Sequence, residues 1–140
     1  MDTRYPMGYN SDMPIIAVTL DSYQSVTSAP GIVLLDCWAE WCPPCRAFKP
    51  IFEEAANNYS DITFGLINTE EETDLAAQLV ITSIPTVMAF RDGILVYAQP
   101  GALGARDLAR VIEAVQNLDM EKVRAEVESS DTPDSSTLGD

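Results

Sequence analysis

Hydrophobic and polar positions follow two different periods along this chain. Short apolar runs rich in β-branched residues predict buried strands, whereas apolar residues that recur every three or four positions predict amphipathic helices. The predicted strands cover residues 15–18, 31–38, 62–67, 86–90 and 94–98. The predicted helices cover residues 22–27, 43–58, 70–79, 105–117 and 120–127. This order of elements predicts an α/β fold with a mixed central β-sheet flanked by helices on both faces.

Residues that favour turns, helix caps and kinks refine the predicted elements. Asp92-Gly93 lies between the last two strands and predicts a hairpin turn. Asp21 and Asp119 precede predicted helices and are expected to be their N-caps. Pro50 lies inside the helix at 43–58, where a missing N–H predicts a kink.

Length and composition divide the chain into one domain with additions at both ends. The 140 residues fit a single domain. Residues 1–14 are polar and are expected to form a flexible arm before the domain at 15–118. Residues 119–128 are expected to form an extra C-terminal helix. Residues 129–140 are mostly Ser, Thr, Asp and Pro, with one Leu, which predicts a disordered acidic tail.

Charge excludes several classes of partner. Eight Lys and Arg against 22 Asp and Glu give a formal net charge of −14. That balance argues against nucleic-acid binding and against adhesion to anionic membranes. No apolar run approaches the roughly 20 residues of a membrane span, and the first residues do not resemble a secretory signal, so a cytoplasmic location is expected. The chain has no histidine, which excludes imidazole chemistry from its own side chains.

The candidate chemistry lies in Trp41-Cys42-Pro43-Pro44-Cys45, between a buried strand and a helix. Prolines are tolerated in the first turn of a helix, which places Cys42 near the N-cap and Cys45 on the same face of that turn. Two sulfurs at this spacing can form a short disulfide, and the positive end of the helix favours a thiolate at Cys42. We therefore expect an exposed, stabilised Cys42 thiolate suited to thiol–disulfide exchange. The alternatives are half of a zinc site, which would need ligands from a second chain, and a structural disulfide.

Two further residues stand out in the strand at 31–38. Cys37 has apolar neighbours and is interpreted as a small buried hydrophobe, with a regulatory thiol as the alternative. Asp36 lies in the same apolar run, where burial should raise its pKa toward or above neutrality.

These motifs together resemble the thioredoxin family. Residues 34–46 resemble its strand and active-site loop, and Pro50 matches its helix kink. Ser83-Ile84-Pro85-Thr86 resembles the loop that carries the family's cis-proline, and Gly101-Ala102 resembles its last substrate-facing loop. The resemblance covers residues 15–118 and implies a thioredoxin fold.

The resemblance also implies a role for each matching position. Cys42 would be the nucleophile that attacks a substrate disulfide, Cys45 the resolving thiol, and Asp36 the buried acid that exchanges a proton with Cys45. The surface that binds an extended substrate segment would be formed by Trp41, Pro43, Ile84, Pro85, Gly101 and Ala102.

The implied function is reduction of protein disulfides without a bound cofactor or metal. The implied partners are an NADPH-dependent thioredoxin reductase and oxidised proteins, and the chain would be a monomer. Two alternatives remain open: a dedicated reductant of one client such as a peroxiredoxin, and a binding module with incidental redox activity. Leu66 and Val80 depart from the family, since the matching positions often hold a lysine beside the buried acid and a glycine.

Overall fold

The computed structural model describes residues 15–130. The arm expected at 1–14 lies outside the described residues, as does most of the tail expected at 129–140. Ser129 and Ser130 are described, and both belong to the last helix. In the described part of the chain, no helix is long and apolar enough to cross a membrane.

Residues 15–130 contain five strands and five helices. The strands are β1 (Ile15–Ala17), β2 (Ile32–Trp38), β3 (Thr63–Asn68), β4 (Thr86–Arg91) and β5 (Ile94–Pro100). The helices are α1 (Leu20–Thr27), α2 (Pro43–Asn58), α3 (Thr73–Gln78), α4 (Ala105–Gln116) and α5 (Met120–Ser130). Each corresponds to a predicted element, and α2 continues without interruption through Pro50.

The strands form one mixed sheet in the order β1-β3-β2-β4-β5. β3 pairs in parallel with β1 and β2, whereas β4 pairs antiparallel with β2 and β5. Side chains alternate between the two faces of a strand, so β2 contributes to two cores. Leu34 packs with residues of α2 and α4 on one face, and Leu35 packs with residues of α1 and α3 on the other. The predicted sheet with helices on both faces is confirmed.

Two helix starts differ from the prediction. The N-cap of α1 is Thr19, not Asp21, because the Thr19 and Ser22 side chains each accept a hydrogen bond from the other's backbone N–H. The third helix starts at Thr73 rather than at residue 70. The Asn68 side chain accepts hydrogen bonds from the N–H groups of Glu70 and Glu71, which holds a turn before the helix.

Gly65 lets two core side chains pack directly over β3. A Cβ at this position would lie 2.7 Å from Val18 Cγ2 and 2.9 Å from Leu35 Cδ2. Both are side chains of a closely packed core, so a larger residue would displace them. The glycine therefore leaves the space that the Val18 and Leu35 side chains fill on this face of the sheet.

Candidate active site

The redox pair lies where β2 leads into α2. Cys42 is the N-cap of α2, and its Sγ accepts a hydrogen bond from the Cys45 N–H at 3.2 Å. Pro43 and Pro44 occupy the first two helical positions, where the N–H groups they lack would have no partner within the helix. Cys42 and Cys45 form a disulfide, with their Cα atoms 5.2 Å apart.

The disulfide is buried. Cys42 is only 2% exposed and Cys45 3%, so the expectation of an exposed Cys42 is wrong for the disulfide form. The two cysteines form a small buried cluster with Ala39, and the partly buried side chains of Trp38 and Ile84 pack against it. Ile84, which lies 42 positions after Cys42 in the sequence, therefore helps to bury the disulfide.

A second loop meets the cysteines from the end of the sheet. The Ile84–Pro85 peptide bond is cis, which confirms the expectation from the family motif. The Ile84 carbonyl oxygen lies 3.7 Å from Cys42 Sγ. The Pro85 carbonyl accepts a hydrogen bond from the Gly101 N–H at 2.7 Å. The structure thus links the loops that carry Cys42, Ile84 and Gly101.

The residues expected to bind substrate differ in exposure. Trp41 is 61% exposed, and Ile84 is partly buried. Pro43, Gly101 and Ala102 are exposed. Pro85 is buried, so its side chain offers little surface to a substrate.

Asp36 is buried beside α2 and has an incomplete set of partners. It pairs in register with Leu66 of β3 and Val87 of β4, both of which belong to the core under α2 and α4. Its side chain is on this face, and its Oδ1 has no hydrogen-bond partner among the described residues. Burial raises the pKa of Asp36 to about 8, as expected from the sequence.

Cys37 lies on the opposite face of β2 and is fully buried. Burial, with a smaller contribution from the charge of Asp36, raises the pKa of the Cys37 thiol to about 12. The interpretation of Cys37 as a small buried hydrophobe is confirmed.

Trp38 is a site neighbour that sequence reasoning missed. Its carbonyl accepts hydrogen bonds from the Thr69 N–H at 2.9 Å and the Thr69 hydroxyl at 3.0 Å. These bonds attach the loop after β3 to the strand that leads into the active site. The Trp38 Nε1 is buried without a partner among residues 15–130. A tryptophan in an apolar strand gives no sequence signal beyond membership of the core.

The residues described here hold no cluster of three or more Cys, His, Asp or Glu side chains arranged for a metal ion. What the site does contain is a disulfide at a helix N-terminus, in contact with a cis-proline loop, and a buried carboxylic acid on β2, the strand that leads into it. This fold and site define a thiol–disulfide oxidoreductase whose redox group is made of its own side chains.

Comparison with known proteins gives the family. The family model "Thioredoxin" matches residues 14–114. The chain is 41% identical over 112 residues to "Putative thioredoxin 2" of Streptomyces coelicolor, covering 80% of this chain and 84% of the relative. It is 37% identical over 102 residues to the thioredoxin of Pseudomonas aeruginosa, covering 71% and 94% of the two chains. The solved thioredoxin structure from Plasmodium falciparum aligns with a TM-score of 0.65 at 30% identity, covering 70% and 96%.

The chain belongs to the thioredoxin family, and it is a thiol–disulfide oxidoreductase. Membership of this family implies that its substrates are disulfides and that it is generally re-reduced by a thioredoxin reductase. The family match ends at residue 114, so α5 lies beyond the matched segment.

Proposed function

We propose that this protein reduces disulfide bonds of other proteins, with Cys42 as the nucleophile. The observation that carries the proposal is the position of Cys42 Sγ at the N-terminus of α2, where it accepts the Cys45 N–H. The partial positive charge of a helix N-terminus and a backbone N–H both favour a thiolate. Cys45 lies within the first turn and is held beside the same sulfur.

The reaction proceeds in two exchanges from the reduced form. The Cys42 thiolate attacks one sulfur of the substrate disulfide, which forms a mixed disulfide and releases the other substrate sulfur as a thiolate. Cys45, as its thiolate, then attacks Cys42 Sγ, which releases the second substrate sulfur. The Cys42–Cys45 disulfide forms, and two electrons have passed from this protein to the substrate.

Asp36 is proposed to exchange the proton of Cys45. Its pKa of about 8 leaves both protonation states accessible near neutral pH. The carboxylate would accept the Cys45 proton when the mixed disulfide is resolved, and it would return the proton when the disulfide is reduced again. The free Oδ1 leaves an acceptor available for this step.

We propose that an extended segment of the substrate contacts a surface formed by Trp41, Pro43, Ile84, Gly101 and Ala102. Their exposed or partly buried surfaces lie on the loops that the Cys42–Ile84 contact and the Pro85–Gly101 hydrogen bond bring together. Pro85 holds the Ile84 backbone in place for main-chain pairing with that segment.

The electrons are proposed to come from an NADPH-dependent thioredoxin reductase, with oxidised proteins as their acceptors. We place this reaction in the cytoplasm and in a monomer, because bacterial thioredoxins are among the relatives and the redox pair lies within one chain. The strongly acidic composition makes nucleic acids and anionic membranes poor partners.

Insulin reduction, driven by NADPH and thioredoxin reductase, tests this function. The wild-type protein should turn over repeatedly, and Cys42→Ser should abolish turnover. A chain that ends at Leu118 should remain active, since we propose that residues 15–118 form the redox domain. Absence of turnover by the wild-type protein would support a binding module instead. Turnover with a peroxiredoxin but not with insulin would support a dedicated reductant.

A further inference from the structure

Val80 has a backbone conformation that valine rarely adopts. It follows the C-cap of α3, where the Ile81 N–H donates to the Ala76 carbonyl at 3.0 Å and the Val80 N–H donates to the Ala77 carbonyl at 3.1 Å. This is the Schellman arrangement, with Val80 in the left-handed position at a φ of 56°. Glycine usually occupies that position, because a Cβ approaches the following carbonyl oxygen there.

The side chain of Val80 is not explained by packing within the described chain. β-Branched residues are among the least suited to the left-handed region, and the strain needs compensation elsewhere. Yet Val80 is 73% exposed, so its methyl groups gain little from burial in this fold. A contact made outside the molecule would account for an apolar side chain at this place.

Val80 lies on the loop whose Ile84 contacts the redox pair. Val80 precedes Ile84 by four positions, so their Cα atoms are at most about 14 Å apart. The Ile84 carbonyl oxygen is 3.7 Å from Cys42 Sγ. Among the large apolar side chains of residues 15–130, Val80 and Trp41 are the most exposed, and Trp41 directly precedes Cys42. Both therefore lie on loops that meet at the reactive sulfur.

We infer that Val80 is a specificity-determining contact, which binds an apolar side chain next to the disulfide of a protein substrate. Trp41 contributes apolar surface on the α2 side of Cys42, and Val80 contributes it on the Ile84 side. The inference rests on the proposed function, because it requires a polypeptide substrate. An aliphatic surface of this kind favours a leucine over an asparagine of similar size by excluding water from both partners.

Peptide reduction by the full-length protein tests the inference. The probes are synthetic peptides with one internal disulfide, identical except for leucine or asparagine at a position flanking the cysteine, varied on each side in turn. Both side chains are neutral, so the charge of the protein does not bias the comparison. The measured quantity is the ratio of kcat/KM for the leucine peptide to kcat/KM for the asparagine peptide.

Wild-type protein should favour the leucine peptide by about three- to tenfold on one side of the cysteine. Val80→Asn should bring that ratio close to one and should still fold, since asparagine tolerates the left-handed region. Leu95→Asn is the matched control and should keep the ratio. Leu95 is 48% exposed on β5, at the end of the sheet away from the disulfide.

An unchanged ratio in Val80→Asn would overturn the inference, and so would an equal loss in Leu95→Asn. Equal reduction of both peptides by the wild-type protein would overturn it as well, while leaving the proposed function intact. Failure of the wild-type protein to reduce either peptide would instead contradict the proposed function, and the inference with it.

Discussion

Asp36 sets how the stability of the oxidised protein responds to pH. Its pKa is about 8 in the fold and about 3.9 in an unfolded chain. The folded state therefore binds more protons between these values, and the free energy of unfolding falls as pH rises from about 4 to about 8. Asp36→Asn should remove this slope and raise the free energy of unfolding by about 5 kcal/mol at pH 8. Urea unfolding of the disulfide form across pH measures both effects.

Leu66→Lys provides the companion variant for that experiment. Leu66 pairs with Asp36 across the sheet, so a lysine there would place a cation beside the carboxyl group and lower its pKa. The pH range over which stability falls should then end at a lower pH. Adding Asp36→Asn to Leu66→Lys should remove this effect. A wild-type protein whose stability is flat between pH 4 and 8 would show that Asp36 is not held neutral.

Cys42 should react before Cys45 in the reduced protein. Its sulfur lies at the N-cap of α2 with the Cys45 N–H directed at it, and both features favour the thiolate. Brief alkylation with iodoacetamide at mildly acidic pH, followed by mass mapping, should find the label on Cys42. Cys37 should stay unlabelled and serves as an internal control. Preferential labelling of Cys45 would reverse the assignment of roles.

At the scale of the element, the N-terminus of α2 should give a reducing dithiol. A strongly oxidising pair needs a strongly stabilised thiolate, and Pro43 and Pro44 remove two backbone donors from that end of the helix. Arg46 is the nearest cation to the cysteines in the sequence, and its guanidinium donates to the Glu40 carbonyl at 2.8 Å rather than serving to stabilise the thiolate. We expect a reduction potential near about −270 mV, the usual thioredoxin value. A glutathione titration measures it, and a value more positive than about −200 mV would contradict a reductase.

The C-terminus of α4 is held by a cation from the sheet. Arg91 Nη1 donates to the carbonyls of Val115, Gln116 and Leu118 at 2.7 to 3.2 Å. α4 has no basic residue in its own last turn, so Arg91 provides the charge that complements this helix end. Arg91→Met should lower the free energy of unfolding by about 1–3 kcal/mol.

Arg110→Met is the matched control for Arg91→Met in chemical denaturation. The ion pair of Arg110 with Asp107 is exposed and 3.7 Å long, and such pairs contribute little to stability. If both substitutions cost the same, Arg91 does not act through the end of the helix.

How far the elements follow from the sequence depends on the range of the interactions that set them. α2 has the predicted bounds because a proline pair marks its start and apolar residues repeat at helical spacing along it. The predicted start of α1 was wrong because Thr19 and Asp21 are both suitable N-cap residues. Which of them caps the helix depends on where β1 ends. The predicted start of α3 was wrong because the Asn68 side chain accepts a hydrogen bond from the Glu70 N–H and so forms a turn before the helix.

In the site too, features set by local motifs could be predicted from the sequence, and features set by distant residues could not. The cysteine pair and the cis-proline follow from motifs that are continuous in the sequence. The burial of Cys42 depends on Ile84, which only the folded chain brings to the sulfur, so spacing alone could not predict it. The left-handed backbone of Val80 does not follow from valine itself, and its sign in the sequence was the glycine that the family often holds at the matching position.

For the whole molecule, the charge of −14 should make stability depend on salt. Self-repulsion among like charges opposes the compact state, and screening weakens it. Raising NaCl from about 10 mM to about 150 mM shortens the Debye length from about 30 Å to about 8 Å. The thermal midpoint of the oxidised protein should rise by about 3 °C, with choline chloride giving the same rise. A midpoint that falls with either salt would show that attractive pairs dominate.

Cys37 makes the protein its own reporter of unfolding. The reduced native chain should present two sulfhydryls to a chromogenic thiol reagent, because the third is fully buried with a pKa of about 12. That third group becomes titratable only when β2 is exposed to solvent. Blocking Cys42 and Cys45 beforehand would leave a single slow absorbance change, whose rate counts opening events of the central strand without any engineered label.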